Sequence, residues 1–419
     1  MSKRKVYVVD GLRTPFLKAR GQRGAFSASD LAVYAGRSLL MRLPLKPSDI
    51  DEVIMGCVMP EPDEMNIARI IALRLGCGKE VPAWTVQRNC ASGMQSLDAA
   101  RLKILAGESD LILAGGTEVM SRAPLLLSHQ MTDWLGNWQR SKTVNQKLKT
   151  LAKLRPAFFA PIIGILKGLS DPVVGLSMGE TAENLAYQYQ INREEMDAFA
   201  VESHHKVVSG MESRGLQDEI VPIVDQQGHM YMKDDGVRAD STREKLAQLR
   251  PVFDKKFGMV TAGNSAQITD GAAMLMLASS KAVRTYQLPV LGTLDDVQWS
   301  GLAPEYMGLG PAYAIPPLLA RNKLGVGDID VWEINEAFAV QVLACVQDMK
   351  EKGVGDIPLN KLNREGGAIA IGHPVGASGA RIVLHMLHSM KRNKEQRGIA
   401  SICIGGGQGG AFLLSGGES

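Results

Sequence analysis

Asn89-Cys90-Ala91-Ser92-Gly93, read beside Gly376-Ala377-Ser378-Gly379, decides the fold. Each quartet of small residues opens a stretch with helical spacing. The first leads into 95–105, where Leu97, Ala100, Leu102 and Leu105 are spaced for packing and Gly107 stops the run. The second leads into 380–390. Each predicted helix is followed by an apolar strand that ends in glycines, 110–114 before Gly115-Gly116 and 399–404 before Gly405-Gly406-Gly407. The same order twice implies duplicated halves. Small residues at each helix start would let the two helices pack closely. Outward from these stretches, 5–9, 52–55 and 331–334 read as strands and 30–41 as a helix. This alternation predicts an α/β chain with parallel or mixed sheets covered by helices.

A length of 419 residues predicts two or three domains, at about 150 residues each. With 45% hydrophobic and 22% charged residues, a buried core is possible and wholesale disorder is excluded. A net charge of +3 argues against a nucleic-acid binder. The five cysteines form no C-x-x-C pair and no Cys/His cluster with zinc spacing, so neither a metal site nor a disulfide framework is expected. Three basic residues, Lys3 to Lys5, precede only a short apolar run, which reads as a first strand and not a signal peptide. No run approaches the roughly 18 apolar residues of a membrane span. These features describe a soluble or peripherally bound intracellular protein.

The middle of the chain, about 121–264, is less regular. Between 131 and 170 there are seven basic residues and one acidic, a charge of +6 that leaves −3 for the rest. Val144, Leu148, Leu151 and Leu154 follow helical spacing with lysines between them. An apolar run, 157–166, follows, too short to span a bilayer and interrupted by Pro161 and Gly164. Two readings stand side by side: a membrane-surface or partner-binding insertion, or a helical hairpin packed on its own domain with a solvated basic face.

Four segments carry reactive side chains among small residues. Cys90 sits at a predicted helix N-terminus, where the dipole and free N–H groups favour a thiolate; a lone cysteine is more often simply buried. His373 lies in a glycine-rich loop before a helix, alone more often a structural position. Cys403 ends a strand beside Gly405-Gly406-Gly407, and Asn335 follows the strand 331–334. Together they describe an acyl-transfer site: a thiolate nucleophile, a histidine to take its proton, a second thiol as acid and base, and backbone N–H groups for an oxyanion. Spacing alone does not prove that they converge.

The chain closely resembles the thiolases along essentially its whole length. The resemblance rests on Asn89-Cys90-Ala91-Ser92-Gly93, Gly115-Gly116-Thr117-Glu118-Val119-Met120-Ser121, Thr261-Ala262-Gly263-Asn264, Asn335-Glu336-Ala337-Phe338, Gly366 to Pro374, and Cys403-Ile404-Gly405-Gly406-Gly407, all in order. It implies a five-layer αβαβα thiolase fold of two similar halves with an inserted loop domain. The halves would be 1–121, completed by about 267–290, and 291–419, with the loop domain at 122–266. It implies that Cys90, activated by His373, attacks the 3-keto carbon of a 3-ketoacyl-CoA. Cys403 would protonate the leaving acetyl-CoA carbanion and then deprotonate the incoming CoA. One oxyanion hole would use His373 and a water held by Asn335, the other the N–H groups of Cys90 and Gly405. Arg238 matches the family arginine near the nucleotide end of CoA. Ser265 stands one place from the serine that usually meets the pantetheine arm. Glu365 stands where many thiolases carry asparagine. CoA would be a substrate, with no tightly bound cofactor.

The basic insertion is similar to that of β-subunit thiolases of trifunctional fatty-acid oxidation complexes. That likeness implies 3-ketoacyl-CoA thiolysis in β-oxidation, a hydratase/dehydrogenase α-subunit and peripheral membrane contact through about 131–170. The family implies a homodimer or tetramer, cytoplasmic in a bacterial host (with possible contact at the inner membrane) and mitochondrial in a eukaryotic one. The rival readings are a biosynthetic acetoacetyl-CoA thiolase, a β-ketoacyl synthase, against which Cys403 and its glycines argue, and an inactive scaffold subunit.

Overall fold

The computed structural model describes residues 4–213 and 215–417. The strand Glu52–Gly56 pairs in parallel with Ala83–Val86 and with Leu111–Val119. Leu111–Val119 pairs antiparallel with Thr269–Ser279, which pairs antiparallel with Val6–Arg13. The second half repeats the pattern. Val331–Ile334 lies parallel to Arg397–Ile404, which runs antiparallel to Gln408–Gly416, itself antiparallel to Gly292–Gly301. The first strands of the two halves then meet, Tyr7 against Thr293 and Val8 against Gly292, and, with the short strand Leu17–Lys18 on Thr269–Ser279, join everything into one sheet of ten strands. The duplication read from the quartets of small residues is therefore a duplication of topology.

Alternating side chains build the layers. Leu111 and Leu113 face outward onto the helices Ala28–Arg42 and Ile67–Leu75, while Ile112 and Ala114 face inward. In the other half Ile399 and Cys403 face outward, toward Gly310–Asn322 and Ala339–Glu351, while Ala400, Ile402 and Ile404 face inward. Both inward faces close on the same pair of helices, Ser92–Ala106 and Val375–Asn393. The result is the expected five-layer arrangement: helices, half-sheet, central helices, half-sheet, helices.

The quartets of small residues do what their size predicts. A Cβ on Gly93 would lie 2.7 Å from the Gly376 carbonyl oxygen, and one on Gly379 would lie 2.6 Å from the Met94 nitrogen. Two boundaries differ from expectation. The strand does not end at Gly115-Gly116 but continues to Val119, because the glycines sit within it to let neighbouring backbone close in: a Cβ on Gly116 would strike the Gly376 carbonyl oxygen. The second central helix starts at Val375, so Gly376 to Gly379 form its first turn.

Between Val119 and Thr269 the chain leaves the sheet. The basic segment forms two helices, His129–Arg140 and Val144–Leu151, held as a hairpin. Trp134 stacks on Trp138 at 5.6 Å, and the Trp134 Nε1–H donates to the Thr150 carbonyl at 2.8 Å. The hairpin and the segment after it leave apolar side chains in solvent: Val144, Leu148, Leu151, Phe159, Ile163 and Leu166 are all exposed. Among the described residues, no helix is long and apolar enough to cross a membrane.

Candidate active site

Segments far apart in sequence come together where the central helices begin: the Cys90 turn is tied to the Gly405 loop, and the helix after His373 packs against Gly93. Cys90 lies in the tight turn before Ser92–Ala106, with Asn89 held at φ +43°. The Asn89 Nδ2–H donates to the Gly405 carbonyl at 2.8 Å, tying the Cys90 turn to the glycine run of the other half. Gly406 and Gly407 both have positive φ, which lets the chain reverse there from Arg397–Ile404 into Gln408–Gly416. Cys403, at the end of Arg397–Ile404, is close enough to Cys90 for a charge on Cys90 to act on it.

The thiols are neutral at rest. Burial pushes the Cys90 thiol up, more than the backbone N–H groups of Gly405 and Cys90 pull it down. This reverses the expectation of a thiolate held by the helix N-terminus. The helix begins at Ser92, so Cys90 stands outside the first turn, and desolvation outweighs the dipole. The same N–H groups that act on Cys90 Sγ are the pair named for an oxyanion hole. Burial, and then the nearby Cys90, push Cys403 well above the usual thiol range. Both thiols need a base.

His373 is built as one. Gly372 before it has φ +102°, and a side chain there would also strike Thr269, so the turn admits glycine alone. The His373 backbone N–H donates to the Gln267 carbonyl at 3.0 Å. Its Nδ1 lies 2.6 Å from Ser378 Oγ, whose own proton goes to the Pro374 carbonyl at 3.1 Å. A hydroxyl with its one proton committed must accept. That assigns the hydrogen to Nδ1 and leaves the Nε2 lone pair free. Burial, with Arg381 nearby, lowers the ring to about 3, so it is neutral at working pH.

Buried polar atoms nearly always have partners. His373 Nε2 has none, and neither do Asn335 Oδ1 and Nδ2 nor Thr269 Oγ1, all of them buried. Asn335 follows Val331–Ile334 and is registered on the Cys403 strand through its N–H to the Ser401 carbonyl at 2.9 Å. These unpaired groups can hold a carbonyl oxygen or a water.

The two expected CoA contacts differ in exposure: Arg238 is exposed and Ser265 is buried. The Arg238 backbone N–H donates to His204 Nδ1 at 3.1 Å, and the Arg238 charge, after burial, holds Lys18 below the usual lysine range. A cationic rim of this kind suits phosphate. The Ser265 hydroxyl donates to the Thr261 carbonyl at 2.7 Å, within its own turn. Glu365 now has a physical account: Arg392 grips it with two hydrogen bonds of 2.6 and 2.7 Å, and His385 stands at 3.7 Å.

Two buried glutamates had no role in the sequence reading. Glu336 accepts from Ser203 Oγ at 2.6 Å, Asn363 Nδ2 at 2.9 Å and the Ile369 N–H at 3.2 Å, and so fixes the glycine loop that leads to His373. Glu118 lies under the start of the second central helix. The signal available was a glutamate among small and apolar residues in each motif. Among the described residues, no group of three or more His, Cys, Asp or Glu side chains could hold a metal ion.

Residues 6–281 match the family description "Thiolase, N-terminal domain" and residues 288–416 match "Thiolase, C-terminal domain". A protein of Staphylococcus aureus named "Probable acetyl-CoA acyltransferase" is 39% identical over 415 residues, covering 98% of this chain and 99% of its own. The acetyl-CoA acetyltransferase of Bacillus anthracis is 36% identical and superposes with a TM-score of 0.87 over 99% of both chains. The human mitochondrial 3-ketoacyl-CoA thiolase in complex with CoA is 35% identical, with a TM-score of 0.87 over 99% of this chain and 98% of that one.

Proposed function

The chain belongs to the thiolase family of acyltransferases, and from that premise we propose that it cleaves 3-ketoacyl-CoA with CoA, in the degradative direction of fatty-acid β-oxidation. The observation that supports the reading is a Cys90 turn bonded to the Gly405 loop beside Cys403, together with a buried His373 whose Nε2 has no partner.

The chemistry follows from those states. His373 Nε2 takes the Cys90 proton as Sγ attacks the 3-keto carbon, and the resulting imidazolium faces the new oxyanion. Asn335 holds a water, or the oxygen itself, on the same side. The C2–C3 bond breaks, the acyl group stays on Cys90 as a thioester, and the electron pair passes to the acetyl-CoA enolate. Cys403 gives that carbon its proton. The Cys403 thiolate then takes the proton of an incoming CoA, which attacks the thioester and expels the Cys90 thiolate, and Cys90 recovers its proton from the His373 imidazolium. The oxyanion of this second step meets the N–H groups of Cys90 and Gly405. In reverse, the same steps condense two acyl-CoA molecules.

Arg238 is assigned to the phosphates of CoA and Ser265 to the edge of the pantetheine path. Residues 122–266 are taken as a loop domain on the two halves. The exposed apolar side chains of 144–166, with the lysines between them, support a face for an anionic membrane or for a hydratase/dehydrogenase α-subunit. A homodimer or tetramer is supported by the sheet edges. Asn363 covers Val331–Ile334 through two hydrogen bonds to Ile334, each 2.9 Å, whereas Ala83–Val86 ends the sheet half-exposed. In a bacterial host the protein would be cytoplasmic.

The test is CoA-dependent thiolysis of 3-ketoacyl-CoAs from about four to sixteen carbons, a series spanning short to long acyl chains whose added methylenes each bring apolar burial. Activity that rises with chain length and vanishes in Cys90→Ala is expected. Activity confined to acetoacetyl-CoA would replace the degradative reading with the biosynthetic one.

A further inference from the structure

The helix that follows His373 begins without a cap of its own. Its N-cap is Pro374, which makes no side-chain cap hydrogen bond, yet the helix runs 19 residues and its first-turn N–H groups need acceptors. One acceptor comes from the other half of the molecule. Glu118 Oε2 accepts from the Gly376 N–H at 3.1 Å across 258 residues of sequence. The same carboxylate accepts from the Val58 N–H at 2.9 Å and the Met59 N–H at 3.0 Å, and the Cys57 thiol lies 3.7 Å away.

The surroundings fit this contact and little else. Glu118 is fully buried near the end of Leu111–Val119. A Cβ on Gly376 would come within 2.5 Å of the Thr117 carbonyl oxygen and 2.7 Å of Glu118 Oε2, so glycine is what lets the helix settle on the carboxylate. Gly376 stands three residues after His373. Glu118 belongs to the half that carries Cys90, and its charge reaches the Cys90 thiol.

We propose that Glu118 is a positioning residue for acyl transfer: it caps the His373 helix in trans from the nucleophile's half and so sets where His373 Nε2 stands relative to Cys90. The proposal rests on the roles given above to His373 and Cys90. It explains why a carboxyl group is kept in an otherwise apolar and small stretch, where burial pushes its pKa up to about 7 against the pull of the three backbone N–H groups. Three N–H donors converge on two oxygens, an arrangement a neutral amide cannot match, because one of its two ends is itself a donor.

Glu118→Gln keeps the volume and turns one acceptor into a donor. Alkylation of Cys90 by iodoacetamide, followed by mass spectrometry, should slow about tenfold, and kcat for thiolysis should fall by a similar factor with KM for CoA within about twofold. In a His373→Ala background the same substitution should change alkylation by less than about twofold, since groups that act as a unit are not additive. Gly376→Ala, which pushes the helix off the carboxylate from the other side, should reproduce the effect and carries the test if Glu118→Gln does not fold. A variant with lower Tm but unchanged alkylation and kcat would reduce Glu118 to a structural role and overturn the proposal. So would an equal loss in both backgrounds. If His373→Ala itself alkylates and turns over like the wild type, the site reading fails first and the proposal with it.

Discussion

Replacing Ser378 with alanine removes one oxygen, the atom that fixes the His373 ring. Ser378 is fully buried, and its hydroxyl stands 2.6 Å from His373 Nδ1 while it donates to the Pro374 carbonyl. Without it, the tautomer with hydrogen on Nδ1 buries an unpaired donor, at a cost of about 1–3 kcal/mol. The other tautomer buries an unpaired acceptor instead and puts hydrogen on Nε2, where it cannot take the Cys90 proton. The useful tautomer thus loses its advantage, and about 1.4 kcal/mol of that loss is a tenfold drop in its population. Thiolysis by Ser378→Ala should therefore show kcat about tenfold lower, with KM for CoA nearly unchanged because no CoA contact is touched. Alkylation of Cys90 should slow in parallel. Alanine is a better helix former than serine, which offsets part of the lost bond, so Tm should move by only a few degrees. A variant with kcat within twofold of wild type, correctly folded, would refute the assignment of Nδ1 as the hydrogen-bearing nitrogen.

Other outcomes follow from particular contacts. Gly116→Ala drives a Cβ into the Gly376 carbonyl with backbone on both sides, and should cost about 3 kcal/mol in urea unfolding, whereas Gly327→Ala, with open space around it, should cost under about 1 kcal/mol. His204, lowered by burial and then by Arg238 to about 4 from 6.5, is protonated more readily unfolded than folded. Its stabilising share is complete above pH 6.5 and drains as pH falls from there toward 4. The Tm advantage of wild type over His204→Gln should then shrink between pH 8 and pH 5; an unchanged difference contradicts it. Deleting 137–169 should abolish binding to anionic vesicles while sparing acetoacetyl-CoA turnover, and wild-type binding should weaken with salt, since each basic residue near the surface contributes about 1 kcal/mol. Equal vesicle binding by the deletion variant would leave the hairpin as decoration.

The readable parts of this chain are those whose signal is local. The duplicated quartets announced two halves because close helix packing requires small residues in one short stretch. Cys90, His373, Cys403 and Asn335 stood out because reactive side chains among glycines are chemically conspicuous. What stayed hidden depends on contacts between distant segments. Glu118 and Ser378 were visible as letters, but their work is to meet Gly376 and His373, and the Glu118 partner is 258 residues away. The direction of the Cys90 pKa was misjudged for a related reason: the position of a helix start within two residues, and the depth of burial, decide between dipole and desolvation. Glu365 is explained by Arg392 and His385 beside it, partners that lie further along the chain, Arg392 by 27 residues.

The central claim is that Cys90 carries the acyl group. Incubation with acetoacetyl-CoA in the absence of added CoA, followed by acid quench and peptide mapping, tests it directly. An acetyl group on the peptide containing Cys90, removed on adding CoA and missing in Cys90→Ala, is the predicted result. Turnover that continues in Cys90→Ala, or an acetyl group found on Cys403 instead, would contradict the account.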